Sequence, residues 1–236
     1  MSTVLITGAN RGLGLRFSHC YAEQGWTVVA GCRSVSPELA ALADKHDNLR
    51  IVSLDVTDAD SVAALASELG DEPIDVLLNN AGIYGNSAFK DGGIAHQNFG
   101  NTDFDNWENV LRVNLFGPMR MAEAFVNNVA RSEQKKIVTL SSEVSSNAMN
   151  EFGGMYAYRT SKAAVNMLMT SMSVNLAERG ILALALHPGW AQTDMGGPNA
   201  PITPEESVDG CMRVIADLDK SMVGKLIQYD GQVLPY

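Results

Sequence analysis

Tyr158 and Lys162 stand four residues apart in Tyr158-Arg159-Thr160-Ser161-Lys162. On a helix, side chains at that spacing project from one face, one above the other. A free tyrosine, with a pKa of about 10, is a poor acid or base near neutrality. An ammonium roughly 6 Å away, at an effective dielectric of about 20, favours phenolate by about 3 kcal/mol, or about two pKa units. Such a pair can give a proton and take it back. The same spacing also describes many solvated helix faces, so its meaning depends on what surrounds it.

Other residues of this kind precede the pair. Ser141-Ser142 follows an apolar run at 136–140 that reads as a strand; a serine there is either a plain loop residue or a donor to a carbonyl oxygen. Asn114 lies in a helical pattern over 105–131, with Asp105 and Glu108 spaced as a capping box. Pro118 has no N–H for the Asn114 carbonyl, which predicts a kink and a freed carbonyl able to hold an ordered water. A proton relay and a plain proline kink both fit.

The N-terminal stretch points to a nucleotide. Val4-Leu5-Ile6 reads as a buried strand and leads into Thr7-Gly8-Ala9-Asn10-Arg11-Gly12-Leu13-Gly14, then an amphipathic stretch to about 24 stopped by Gly25. Glycines at a strand-to-helix turn let backbone approach a pyrophosphate, and the helix start supplies N–H groups. The spacing is G-x-x-x-G-x-G rather than the commoner G-x-G-x-x-G. The second strand, 26–31, ends without the acid that would bond a ribose 2′-hydroxyl. It ends instead on Cys32-Arg33-Ser34, and Arg11 adds a second guanidinium. Arg33 either caps the strand in solvent or joins Arg11 at a 2′-phosphate, which favours NADP(H) with NAD(H) still possible. Asp55, before Val56, is placed either to accept from an adenine amino group or to cap the next helix, with Thr57 and Asp58 as rival caps. Asn79-Asn80-Ala81-Gly82 closes a strand over 74–78 and falls at the sheet edge where cofactors bind.

Strands alternate with helices along all 236 residues, which implies an α/β fold with a doubly wound parallel sheet and helices on both faces. A strand at 181–186 runs into His187, a lone histidine of the structural kind, and Thr203-Pro204-Glu205-Glu206 starts a helix to about 218. Residues 226–229 read as the last strand, with Asp230-Gly231 as its turn. One domain over 1–236 is expected, with dinucleotide binding mainly in 1–120 and catalysis and substrate mainly in 121–236. A net charge of −10 argues against nucleic acid. Three cysteines without C-x-x-C spacing read as reduced thiols, and no metal site is expected. No apolar run is long enough for membrane insertion, and a first strand beginning near Met1 leaves no room for a signal peptide, so a cytoplasmic location is expected.

Together these residues resemble the short-chain dehydrogenase/reductase family over nearly the whole chain. The matching motifs are Thr7-Gly8-x-x-x-Gly12-x-Gly14, Asp55-Val56, Asn79-Asn80-Ala81-Gly82, Asn114, Ser142, Tyr158-x-x-x-Lys162 and Pro188-Gly189. Asn10-Arg11-Gly12-Leu13-Gly14-Leu15, the run 156–162 and the run 187–198 are similar to the C-factor-like and sniffer-type carbonyl reductase branch. The resemblance implies a Rossmann-type sheet of order 3-2-1-4-5-6-7 and hydride transfer between a nicotinamide and a carbonyl carbon. It implies Tyr158 as proton donor, Ser142 holding the carbonyl oxygen, Lys162 lowering the Tyr158 pKa and bonding the nicotinamide ribose, and Asn114 holding a relay water. Asn80, Ala81 and Gly82 would line the ribose side, and Pro188, Gly189 and Thr193 would orient the nicotinamide. A glycine usual three residues after the serine is Ser145 here, so that loop is expected to differ and Ser141 stays an alternative. The short segment from Thr193 to Thr203 predicts an open cleft with little lid.

The leading function is an NADPH-dependent carbonyl reductase acting on a small aldehyde or ketone, with the alcohol as substrate when run in reverse. The alternative is a C-factor-like signalling or interaction protein that binds the nucleotide without needing turnover. Glu143, Ser145, Phe152, Trp190 and Met195 are candidate cleft residues, and the glycine-rich stretch 83–102 reads as a loop beside the cleft or a surface insertion. The resemblance also implies a homodimer through helices over 105–131 and 156–179.

Overall fold

The run Val4-Leu5-Ile6 becomes the middle of strand β1 (Thr3–Thr7) in the structure, a computed structural model that describes residues 1–85 and 97–236. Its alternation explains why the strand sits centrally: Val4 and Ile6 enter the core on one face of the sheet and Leu5 enters the core on the other. All three are fully buried, and truncating such a residue to alanine typically costs about 2–5 kcal/mol.

Around β1 lie β2 (Thr27–Cys32), β3 (Leu49–Ser53), β4 (Val76–Asn79), β7 (Lys136–Leu140), β8 (Leu182–His187), β9 (Leu226–Gln228) and β10 (Val233–Leu234). A separate short hairpin is formed by β5 (Gln97–Asn98) and β6 (Asn101–Thr102). The main sheet runs β3-β2-β1-β4-β7-β8-β9-β10, with every pair parallel except β9–β10. Its first seven strands follow the 3-2-1-4-5-6-7 order. The antiparallel edge strand β10 was not foreseen, and at two residues it is too short to carry a periodic signal. One face is covered by α1 (Gly12–Glu23), α2 (Pro37–Ala43) and α7 (Pro204–Ala216). The other is covered by α3 (Ala59–Leu69), α5 (Gly117–Arg131) and α6 (Tyr156–Asn175). Thr203 caps α7 by accepting from the Glu206 N–H at 3.1 Å.

The 105–131 helix needs three corrections. It begins one residue earlier as α4 (Phe104–Leu111), capped by Asp103, whose carboxylate accepts from Asn106 N–H at 3.0 Å, so Asp105 and Glu108 form no capping box. It then widens into a π-helical segment, Arg112–Phe116, and continues as α5, with Pro118 in its first turn. The disruption expected at Pro118 is thus taken up as a π segment that holds Asn114, a device that re-aims a side chain without ending the helix. Of the stretch 83–102, residues 86–96 lie outside the described residues, and the part after them forms the β5–β6 hairpin rather than a loop.

Candidate active site

A cleft of about 650 Å³ opens along the C-terminal edge of the sheet. Gly8, Asn10, Arg11, Gly12, Leu13 and Gly14 line it from the first turn, and Arg33, Asp55 and Val56 from the ends of β2 and β3. Asn80, Ala81 and Gly82 line it after β4, and Pro188 and Thr193 after β8. Tyr158 and Lys162 reach it from α6. Gly189 stands apart from this wall. Its φ of +77° and the 2.4 Å from a built Cβ to Ile202 make it a packing glycine behind the cleft. Of the expected substrate-side residues, Met195 lines the cleft; Glu143, Ser145, Phe152 and Trp190 are not among its lining.

The glycine turn is held from behind. Asn80 donates to the carbonyls of Thr7 and Gly8 at 2.8 and 3.1 Å, and the Thr7 hydroxyl accepts from Ala81 N–H at 2.9 Å. A Cβ on Gly14 would lie 2.2 Å from the Gly8 carbonyl oxygen, so only glycine allows the turn to fold this tightly. Helix α1 starts at Arg11 with no side-chain cap, which leaves its first-turn N–H groups unclaimed by side chains. A tight glycine cradle, an uncapped helix start and two guanidiniums are the donor set a phosphorylated dinucleotide needs, so the residues fit such a cofactor. Arg11 meanwhile pairs with Asp194 across the cleft mouth at 3.3 Å, an exposed contact worth about 0–1 kcal/mol. Asp58, not Asp55, caps α3. Burial raises the Asp55 pKa, but hydrogen bonds from Thr57 and the charges of Arg33 and Arg120 outweigh it and leave the carboxyl below its usual value.

Behind Tyr158 the polar side chains are tied together. The Lys162 ammonium donates to the Leu140 carbonyl at 2.8 Å and stands 5.6 Å from the centroid of the Tyr158 ring. Asn114 accepts from Ile83 N–H at 2.8 Å and donates to the Ile83 carbonyl and the Ser161 hydroxyl at 2.9 and 3.0 Å. A Cβ built on Gly82 would meet Asn114 Oδ1 at 3.4 Å and Lys162 Nζ at 3.6 Å, so the two groups converge on that glycine. Ser141 lines the cleft with its hydroxyl turned inward, donating to Asn166 Oδ1 at 2.6 Å, whereas Ser142, not itself among the lining residues, shares a hydrogen bond with Tyr158. Ser145 donates to the Ser142 carbonyl and accepts from Asn166 at 2.8 Å, so a serine where glycine is usual ties down the loop.

The expected lowering of the Tyr158 pKa is absent in this arrangement. Burial pushes the phenol up to about 12, and the Ser142 hydrogen bond only partly opposes this. Burial likewise pushes Lys162 down to about 8. The charge of the ammonium alone would lower the phenol's pKa, but desolvation of both groups outweighs it. His187 is buried, and burial drives its pKa down to about 4 against the pull of Asp230. It is therefore neutral near pH 7, and its 3.9 Å approach to Glu143 is not an ion pair there.

Three features beside Tyr158 carry no mark in the sequence: Gln97, Tyr84, and the hydrogen bonds of Ser161 to Asn114 and of Asn166 to Ser141 and Ser145. A lone glutamine in a glycine-rich stretch gives no motif, and contacts across 61 residues leave no periodic trace. No group of three or more His, Cys, Asp or Glu among the described residues is placed to hold a metal.

A family profile described as short chain dehydrogenase matches residues 2–201. The chain is 36% identical over 173 residues to the C-signal protein of Myxococcus xanthus, covering 73% of this chain and 99% of that one. Among solved structures it is similar to the carbonyl reductase Sniffer of D. melanogaster, with 32% identity, a TM-score of 0.89 and 100% of both chains covered. It is also similar to the NADPH-bound carbonyl reductase from chicken fatty liver, with 32% identity, a TM-score of 0.88, and 100% and 99% coverage.

Proposed function

Because the chain belongs to the short-chain dehydrogenase family, we propose that it is an NADPH-dependent reductase of a small aldehyde or ketone, with Tyr158 as the proton donor. The observation that carries this reading is the convergence of Ser142, Tyr158, Lys162 and Asn114 beside a cleft lined by the glycine turn and two arginines. NADPH, when bound, supplies the hydride. The cofactor found in the chicken carbonyl reductase supports this choice, as do Arg11 and Arg33 at the cleft wall.

The chain's own residues have separable tasks. Gly8, Gly12 and Gly14 would admit the pyrophosphate beside the α1 N-terminus, and Arg11 and Arg33 would take the 2′-phosphate. Ser142 holds the carbonyl oxygen where negative charge develops. Tyr158, neutral because buried, keeps its proton until that charge appears, then donates it. Lys162 supplies positive charge over the ring and would bond the nicotinamide ribose, while Asn114 fixes the Ile83 backbone and Ser161 of α6 and would hold the relay water. Oxidation of the corresponding alcohol uses the same groups in reverse.

The likeness to C-signal supports a second reading, in which nucleotide binding serves signalling without turnover. Assay of an aldehyde and ketone panel with NADPH and NADH decides between them. Turnover with NADPH supports the reductase, whereas tight NADPH binding with no turnover supports the second reading. The three cysteines are free and buried, in keeping with a cytoplasmic location, and no helix among the described residues is long and apolar enough to cross a membrane. Exposed Phe104, Phe116, Met167 and Val174 on α4, the π segment and α6 supply an apolar surface for the homodimer we propose.

A further inference from the structure

Helix α6 begins in an unusual way. Gly153, Gly154 and Met155 all have positive φ, and the capping residue Met155, at φ +50°, offers no side-chain acceptor. The first-turn N–H groups of such a helix need partners from elsewhere. That of Tyr158 finds one far off in sequence: it donates to Oε1 of Gln97 at 3.0 Å. The other end of the same amide, Nε2, donates to the carbonyl of Tyr84 at 2.7 Å. Gln97 is 0% exposed.

This one amide therefore joins two backbones whose side chains also meet. The rings of Tyr84 and Tyr158 lie 4.9 Å apart, inclined by 36°. Glycines make the approach possible on both sides. A Cβ on Gly85 would lie 3.1 Å from Gln97 Nε2, and one on Gly154 would lie 2.7 Å from Oδ1 of the neighbouring Asn98. We infer that Gln97 is a positioning residue: it serves as a remote N-cap that fixes the first turn of α6 and clamps the Tyr158 phenol against Tyr84. Its catalytic consequence rests on the reading of Tyr158 as proton donor; the anchoring does not. Gln97 is not itself among the residues that line the cleft; it stands behind Tyr84 and Tyr158, so its removal should alter proton delivery more than cofactor binding.

The test uses the full chain as wild type, Gln97→Leu and Gln97→Glu, with three measurements. These are amide exchange at Tyr158 without ligand, NADPH affinity by calorimetry, and kcat and KM with 4-nitrobenzaldehyde across pH. Gln97→Leu should speed Tyr158 amide exchange at least about tenfold. It should lower kcat about tenfold or more, with NADPH affinity and KM within about threefold of wild type. A Glu at this fully buried position should have its carboxyl pKa raised by desolvation to near neutrality, and while protonated it carries both an acceptor and a donor, so Gln97→Glu should approach wild-type kcat and exchange at about pH 6 and fall away from wild type measured at the same pH by about pH 8. That recovery is a signature that mere loss of packing does not produce, and it serves as the test if the leucine variant fails to fold. Unchanged Tyr158 exchange in Gln97→Leu, or no pH-dependent recovery in Gln97→Glu, overturns the inference. If wild type leaves the aldehyde untouched, the reductase reading is in error, and the exchange measurement alone still decides the anchoring.

Discussion

The ammonium of Lys162 stands over the ring of Tyr158, 5.6 Å from its centroid, while donating its hydrogen bond to the Leu140 carbonyl at 2.8 Å. The cation is thus held by the end of β7, and it acts on the phenol through space.

That arrangement predicts a pH limb. Burial sets the Lys162 pKa at about 8, so the charge is present below that value and lost above it. kcat/KM for reduction should fall as pH rises through about 8, since it reports the free enzyme. Lys162→Met should lower kcat/KM by about 10²-fold or more and flatten that limb. A pH profile of both proteins checks it; an unchanged limb in the variant would assign it to another group.

Arg33 and Arg11 should divide the recognition of the 2′-phosphate. Arg33→Ala is expected to weaken NADPH binding about tenfold or more while leaving NADH nearly unchanged, because a guanidinium's paired donors are lost only to the phosphate. Arg11→Ala should do less, since Arg11 must leave Asp194 to reach a ligand. Calorimetry with both cofactors measures the difference, and equal losses for NADPH and NADH would contradict it.

His187 should make the protein acid-sensitive. Its folded pKa, about 4, lies below the usual value of 6.5, so the unfolded chain takes up a proton first as pH falls. Stability is lost through that window, by about 3 kcal/mol when complete. His187→Gln should flatten the loss between pH 6.5 and about 4. Urea unfolding at about pH 7 and pH 4.5 compares the two. An equal drop in both proteins would show that other groups dominate.

The homodimer can be tested on one residue. Met167 is exposed on α6, and Met167→Glu places a charge on that apolar surface at little expected cost to the monomer. Light scattering at micromolar concentration should give a dimer for wild type and a monomer for the variant. A wild-type monomer would remove the claim.

What could be read from the residues was what short spacings encode. The glycine turn, the Tyr158–Lys162 pair and the Thr203 cap are local patterns, and the alternation of strands and helices marked a doubly wound parallel sheet, whose strand order came only with the family resemblance. The Arg112–Phe116 π segment has no such mark, because one displaced hydrogen bond barely alters the apolar periodicity. Asp103 and Asp105 are equally good caps by type, and residue type alone does not choose between them; the first is the one used. The pKa of Tyr158 was out of reach for another reason. It depends on burial of both partners, which no spacing reveals.

The most direct measurement compares wild type with Tyr158→Phe, reading NADPH binding by calorimetry and aldehyde or ketone reduction by NADPH consumption. The account predicts that the variant binds NADPH within about twofold of wild type while turnover drops by about 10²–10⁴-fold, the usual contribution of a positioned proton donor. Turnover that survives the loss of the phenol, with cofactor binding intact, would contradict it.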